Sequence, residues 1–380
     1  MASAAPRTMA KRTLTIVIPA YNAEATLGDC LAAIAASERQ PDELILYDDG
    51  STDSTGAMAR AAGAIVLRND GPPGGPAVGR NAGVAMAQSE LIVFADADVS
   101  IPPTALGRLE AAFINDPKIS AAFGSYDDRP RSQRSAALYA NLRHHFVHQG
   151  GGREATTFWA GLGAIKADVF RAVGGFDVRY ARPSIEDIEL GVRLNQGGHA
   201  IALVPEALGK HCKDWGKRQL WRTDIMSRAV PWTQLIAAGR TQGAELNLVG
   251  TERLKSVLAH LCWLLPLAAL VFHFNARLGV LDSSPWHLGR WLMGFGVASG
   301  LAYVWLNRAF LALLYRAGGL KTMVLGLGLH WMYHCYASVT FALVMLRQTL
   351  TPSTAGNAAP ASNPMPPHVP PSQPGSGSGW

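Results

Sequence analysis

Two aspartates one residue apart, Asp96-Ala97-Asp98, follow directly on the apolar run Leu91–Ala95. In an extended segment residues i and i+2 point the same way, so both carboxylates can converge beyond the end of a strand. Oxygen ligands of that kind suit a hard divalent cation, Mg²⁺ or Mn²⁺, which readily bridges to phosphates. A lone pair at this spacing is more often a solvated turn, and it is the position after a strand-like run that favours a metal site.

Three further clusters carry residues able to do chemistry. Asp48-Asp49-Gly50-Ser51-Thr52-Asp53 closes a second strand-like run. Ser51 and Asp53 are good helix caps, which leaves Asp48 and Asp49 to accept hydrogen bonds from a nucleobase or ribose. Ser184-Ile185-Glu186-Asp187 fits a capping box; the other reading makes Asp187 or Glu186 the general base for an incoming hydroxyl. His211, just ahead of Trp215, is either structural or within reach of a metal or diphosphate. Arg80-Asn81 opens a helix after a Gly/Pro loop, where it faces a phosphate or simply caps and solvates.

The elements that must hold these groups read as a repeating strand and helix. Leu14–Pro19 is a β-branched run ended by proline, a buried parallel strand by its continuous apolarity. Asn22 caps a helix over 23–36. A strand over 43–47 and a helix from Ser51 or Asp53 to about Gly63 follow. A strand over 64–67, the loop Gly71–Pro76, a helix over 77–88 and a strand over 91–95 complete the rhythm. That alternation predicts an α/β fold with a mostly parallel sheet and helices on both faces. Ligands of such sheets sit beyond the carboxyl ends of the strands, which is where Tyr21-Asn22, Asp48-Asp49 and Asp96-Ala97-Asp98 fall. A later helix starts near Ile185 and runs towards Leu194.

Composition divides the 380-residue chain in two. Hydrophobic residues make up 48% and charged residues 16%, against about 25% charged in ordinary soluble domains. Most acidic residues precede Glu252, and the stretch after it is largely apolar. The net charge is +6 with a pI near 9.2, and the basic residues cluster between Lys210 and Lys255, which suits an anionic membrane surface better than nucleic acid. The four cysteines are far apart and suggest neither a disulfide framework nor a zinc site. No cleavable signal is expected in residues 1–12, read as a flexible N-terminus, so the front domain is expected to stay in the cytoplasm.

From Arg218 to Ile236 apolar residues recur at helical spacing among Arg218, Arg222 and Arg228, interrupted by Pro231. This segment, 218–255, reads either as a helix lying in the membrane interface or as one packed on the domain. Three hydrophobic stretches follow: 256–274, 290–306 and 322–346. About 20 apolar residues are needed to cross a bilayer, so the first and third qualify and the second is marginal, giving two or three spans. Arg308, Arg316 and Lys321 mark the last connection as cytoplasmic by the positive-inside rule, which puts 275–289 outside. The tail 351–380, rich in Pro, Ser and Gly, is disordered by composition.

Taken in order, Val17–Asn22, Asp48–Asp53, Arg80–Gly83, Phe94–Asp98, Gly174-Gly175-Phe176-Asp177 and Glu186–Leu190 resemble the family 2 glycosyltransferases. The resemblance covers residues 13–217 and implies a GT-A (Rossmann-like) fold followed by C-terminal transmembrane helices. It implies that Pro19, Tyr21 and Asn22 line a nucleotide pocket, that Asp48 or Asp49 contacts the base, and that Arg80 and Asp96 serve the nucleotide sugar. Asp96 and Asp98, with His211, would hold Mg²⁺ or Mn²⁺, Asp98 being the more direct ligand. Asp187, beside Glu186, would be the base of a single inverting displacement, which sets aside the capping box as its whole role. Lys217–Arg222 has the residue types of the processive polymerases' Q-x-x-R-W motif but not its order. Transfer of one sugar to a lipid or polyprenyl-linked acceptor in a multi-pass plasma-membrane protein is therefore the expected function. A processive synthase and a non-catalytic membrane scaffold are the alternatives.

Overall fold

The computed structural model describes residues 12–212, 214–241, 250–278 and 286–350. The expected flexible N-terminus lies outside these residues up to position 11, as do positions 279–285 of the expected external loop and the uncharged tail. The chain forms two compact units. One holds the residues up to Ser125 together with Gly152–Cys212; the other holds Tyr126–Gly151 and the C-terminal helices.

In the first unit the strands β1 (Leu14–Ala20), β2 (Glu43–Asp48), β3 (Ile65–Arg68) and β4 (Leu91–Ala95) alternate with α1 (Glu24–Ala35), α2 (Thr55–Ala61) and α3 (Pro76–Met86). β1 pairs in parallel with both β2 and β4, and β2 with β3. Every residue of β4 is buried, as the unbroken apolar run requires of a strand covered on both faces.

Beyond β4 the sheet is mixed rather than mostly parallel. β5 (Val99–Ser100), α4 (Ala105–Asn115) and β6 (Ile119–Tyr126) come next in this unit. After the excursion into the second unit follow β7 (Glu154–Ala155), β8 (Leu162–Lys166), α6 (Ala167–Ala172), α7 (Glu186–Gln196) and β9 (Ala200–His211). The strand order is β3-β2-β1-β4-β8-β6-β9-β5, with β7 on β9. β8 runs antiparallel to β4, with Ala95 opposite Leu162, so the segment leading into β8 arrives at the same sheet end at which β4 finishes. The sequence rhythm that predicts parallel strands stops at Ala95, and the reversal of β8 places Trp159–Gly161 beside the aspartates.

α3 lies tight on this sheet. A Cβ on Gly83 would come 2.3 Å from Val17 Cγ1, and one on Gly79 would come 2.8 Å from Tyr47. The two glycines are one helical turn apart, so their face of α3 meets β1 and β2 at backbone distance.

The second unit is helical. Its elements are α5 (Ser135–Gly150), α8 (Lys217–Arg222), a π-helical turn (Thr223–Ala229), α9 (Val230–Ala237), α10 (Gly250–Arg277), α11 (Trp286–Leu306) and α12 (Arg308–Leu350). Residues 126–151, inside the expected front domain 13–217, cluster with this helical unit. α5 buries Leu138, Tyr139 and Leu142 with Trp215, Phe310 and Leu314, so this helix, though early in the chain, has its apolar partners among late ones. The expected break at Pro231 is instead absorbed: the residue occupies the first turn of α9, where proline needs no amide partner, and the wider π turn precedes it.

α10 is longer than the expected 256–274, and α11 begins before the expected 290. They pack where Gly296 faces Pro266, since a Cβ there would lie 2.4 Å from the proline ring. α12 is broken at Gly318-Gly319, both outside helical geometry. Among the described residues, α10 and α12 are the two helices long and apolar enough to cross a membrane. Polar groups between the helices are matched: Tyr139 Oη meets His330 Nδ1 at 3.1 Å, Asn307 Oδ1 meets His330 Nε2 at 3.0 Å, and Tyr303 Oη meets His334 Nδ1 at 2.9 Å. Arg143 is paired to Asp224 at 2.9 Å, and Asp224 also accepts from Tyr336 Oη at 2.6 Å.

Candidate active site

The carboxyl ends of β1 and β2 form one side of the site. Asn22 does not cap α1. It adopts φ 49°, and its Oδ1 accepts from the Thr52 amide at 2.9 Å. The opening amides of α1 are taken from across the chain: Ala23 N donates to Thr55 Oγ1 and Glu24 N to Asp53 Oδ2. α2 accordingly starts at Thr55, later than Ser51 or Asp53, because Asp53 turns to accept from the Thr55 amide at 3.0 Å.

Asp48 and Asp49 are more enclosed than a direct nucleobase contact requires. Asp48 is 0% exposed; its oxygens take the Ser51 amide at 2.8 Å and Arg68 at 2.5 Å. Asp49 is 5% exposed and takes Asn69 Nδ2, Gly74 N and Gly75 N between 2.8 and 3.0 Å. The pair thus shapes the rim by pinning Arg68 and the Gly/Pro loop. Tyr21, just past the end of β1, is 52% exposed, and Pro19 is half-buried.

The segment after β4 is a turn, with the Val99 amide on the Asp96 carbonyl at 3.0 Å. The extended geometry expected of Asp96-Ala97-Asp98 is therefore replaced by a turn. Asp96 Oδ1 accepts from Arg80 at 2.7 Å. Asp98 Oδ2 stands 3.9 Å from His211 Nε2, brought there because Val99 pairs with His211 across β5 and β9. Among the described residues no three His, Cys, Asp or Glu side chains gather into a metal cage, and one carboxylate oxygen of Asp96 is taken by its ion pair with Arg80. Beneath them Cys30 is pushed up to about 12 by burial and then by the charges of Asp98, Cys212 and Asp96, so it remains a neutral thiol.

α7 completes the site. The capping box does not form: Ile185 occupies the cap position without a side-chain bond, and the Ser184 amide donates to Glu186 Oε2 at 2.9 Å. Asp187 Oδ2 accepts from the Ala160 amide at 3.2 Å and Oδ1 from Ile188 N at 2.8 Å. Gly191 permits this, since a Cβ there would lie 2.3 Å from the Phe158 amide; α7 must touch the segment that leads into β8. Burial pushes the Asp187 carboxyl up to about 7, and Glu186 adds to that while Arg80 opposes it. A carboxylate near neutrality at a helix N-terminus is suited to take up a proton.

The structure joins Arg80, Asp96 and Glu186 in one ion-paired chain, sets Asp98 opposite His211, and keeps Asp48 and Asp49 as a separate cluster. Arg68, Asn69 and the Ala160 amide are participants that sequence reasoning passes over. Arg68 had a signal: it ends β3, in register with Asp48. Asn81, next to Arg80, clasps the turn at Phe176 with both amide atoms, at 2.8 and 2.9 Å, which ties the Arg80–Gly83 motif to Gly174–Asp177.

Residues 15–174 match the profile of "Glycosyl transferase family 2". The O-antigen chain rhamnosyltransferase RfbN of Salmonella typhimurium is 25% identical over 238 residues, covering 58% of this chain and 74% of that protein. The succinoglycan biosynthesis protein ExoU of Rhizobium meliloti is 34% identical over 127 residues, covering 30% of this chain and 37% of its own length. Among solved structures, the mannosyltransferase PcManGT of Pyrobaculum calidifontis, in complex with GDP-Man and Mn²⁺, aligns with a TM-score of 0.46 at 19% identity over 92% of this chain and 90% of that one.

Proposed function

We propose that this chain, whose residues 15–174 match the family 2 glycosyltransferase profile, moves one sugar, with inversion, from a nucleotide-diphosphate sugar to an acceptor held at a membrane. The observation that carries this reading is Asp187, a half-buried carboxylate held by the Ala160 amide at the sheet end to which β4 delivers Asp96 and Asp98. Asp187 takes the proton of the acceptor hydroxyl as that oxygen bonds to the anomeric carbon. The bond from that carbon to the diphosphate oxygen breaks on the opposite face, and the nucleoside diphosphate leaves.

The donor's base lies against Tyr21 and Pro19, on a rim that Asp48 and Asp49 hold through Arg68 and the Gly/Pro loop. Asp98 and His211 are the residues that would hold Mg²⁺ or Mn²⁺. An oxygen and a nitrogen donor 3.9 Å apart fit such an ion, with the remaining positions left to diphosphate oxygens and water. When bound, the cation offsets charge building on the leaving diphosphate.

The membrane side of the reading rests on α10 and α12 and on the apolar residues left exposed along α11, among them Trp291, Phe295, Leu301 and Trp305. Arg308, Arg316 and Lys321 favour a cytoplasmic connection and, with it, a cytoplasmic catalytic domain in a multi-pass protein. A relative named for O-antigen chain rhamnosyl transfer is compatible with a membrane-borne glycan acceptor. The test is release of nucleoside diphosphate by detergent-purified protein over a panel of nucleotide sugars, with Mn²⁺ or Mg²⁺ and a membrane lipid extract. Release from one donor that disappears in both Asp98→Ala and Asp187→Ala is expected. Donor turnover that survives Asp187→Ala would sink the assignment of the base.

A further inference from the structure

Arg80 is the group whose placement the sequence gives least reason to expect. It sits on α3 after the Gly/Pro loop, where a guanidinium would ordinarily reach for a phosphate or for water. Instead it is 4% exposed. One terminal nitrogen donates to Glu186 Oε1 at 2.9 Å and the other to Asp96 Oδ1 at 2.7 Å. Its Cζ lies 5.3 Å from the Phe176 ring centroid, and its Nε has no partner. The tight face of α3 at Gly79 and Gly83 fixes the helix that carries it, and Asn81 fixes the Phe176 turn against which it rests.

A cation so enclosed, with both ends already on carboxylates, is poorly placed to hold a diphosphate. We propose that Arg80 is a positioning residue: it ties the Asp96 end of β4 to the Glu186-Asp187 start of α7 and supplies the positive charge that keeps the base Asp187 available as an anion. This rests on the reading of Asp187 as the base. The charges that act most on Asp187 are Glu186 on its own helix and Arg80 from α3, and its carboxylate accepts from the amides of Ala160 and Ile188. Glu186 disfavours ionisation of Asp187 and Arg80 favours it, so the outcome turns on Arg80. An opposite charge a few ångströms away lowers a carboxyl by about 1 to 3 pH units. Removing it lets burial and Glu186 act unopposed.

The experiment compares kcat/KM against pH for wild type, Arg80→Gln, Arg80→Lys and Glu186→Gln, together with the donor KM. In Arg80→Gln the acid limb is expected to move up by about one unit or more, so that the variant is most defective at low pH and recovers towards pH 9. Arg80→Lys, which keeps the charge, is expected to restore the limb. Glu186→Gln, which removes the opposing charge, is expected to shift it downward. A raised donor KM with an unmoved limb would instead make Arg80 a diphosphate ligand. A uniform loss at every pH, not rescued by Lys, would make it merely structural. Either result overturns the proposal. If Arg80→Gln fails to fold, the Lys and Glu186→Gln profiles decide alone: an unmoved limb in Glu186→Gln overturns the proposal. Absence of transfer by wild type refutes the reading of the base itself, whereas an active wild type with unmoved limbs refutes only the role of Arg80.

Discussion

Asp187 concentrates the chemistry at a single side chain. Its helix would favour the anion through the N-terminal dipole, yet burial and Glu186 outweigh that and Arg80, leaving the carboxyl near 7. The working form of a base is the anion. Activity is therefore expected to fall as pH drops below about 7 and to rise above it, because the raised carboxyl is protonated over a higher range than an exposed aspartate. A kcat/KM profile measured from pH 5 to 9 checks the sign; a limb near 4 would mean that the base is another group. Asp187→Asn keeps the shape of the side chain and its contact with the Ala160 amide. It is expected to lower kcat by roughly 10²–10⁴-fold, the usual contribution of general-base catalysis, with donor binding retained in calorimetry.

α3 illustrates how an element, rather than a residue, delivers the site. Arg80 and Asn81 reach Asp96, Glu186 and Phe176 because Gly83 lets the helix touch Val17. Gly83→Ala inserts a methyl 2.3 Å from Val17 Cγ1, and overpacking of this kind costs about 1–3 kcal/mol. A lower melting temperature is expected, and the added change Val17→Ala should recover part of it by making room; no recovery would mean that the contact is not the cause. In the helical unit the π turn plays a comparable part. It carries Asp224, buried between Arg143 and Arg228 and bonded to Tyr336. Asp224→Ala leaves Arg143 buried without its counter-ion, at a cost of about 3–5 kcal/mol. A detergent melting curve indistinguishable from wild type would show that Arg143 finds another partner.

At the scale of the whole molecule two solvents are written into one chain. The sheet unit buries continuous apolar strands, whereas the helical unit leaves large apolar side chains such as Phe274, Trp291 and Trp305 exposed while pairing Tyr139 with His330 and Tyr303 with His334 inside. That is the arrangement a bilayer favours, since lipid accepts apolar surface and offers no hydrogen bonds. The full chain is accordingly expected to sediment with membranes and to resist both high salt and alkaline wash, yielding only to detergent. Release by salt alone would indicate attachment through the basic face of 218–255 and no spanning helix.

The strands β1 to β4, the motif positions at their carboxyl ends and the apolar stretches after Glu252 were legible in the sequence, because each depends on local pattern: continuous apolarity, turn residues and run length. What α5 would bury was not legible, since its partners Phe310 and Leu314 lie more than 150 residues away, and no local period records a distant surface. The same holds within the site. Spacing made Asp96 and Asp98 a pair and Ser184–Asp187 a capping box, both sound readings of isolated segments. The tertiary structure set the first pair in a turn and gave Asp96 an ion pair with Arg80. It also drew Asp187 to the Ala160 amide through the close approach at Gly191 and the reversal of β8. Sequence by itself determined which groups stand at the sheet end. Only the packing of α3, α7 and β8 decided which of them meet, because hydrogen bonds and burial depend on distances that the order of residues does not contain.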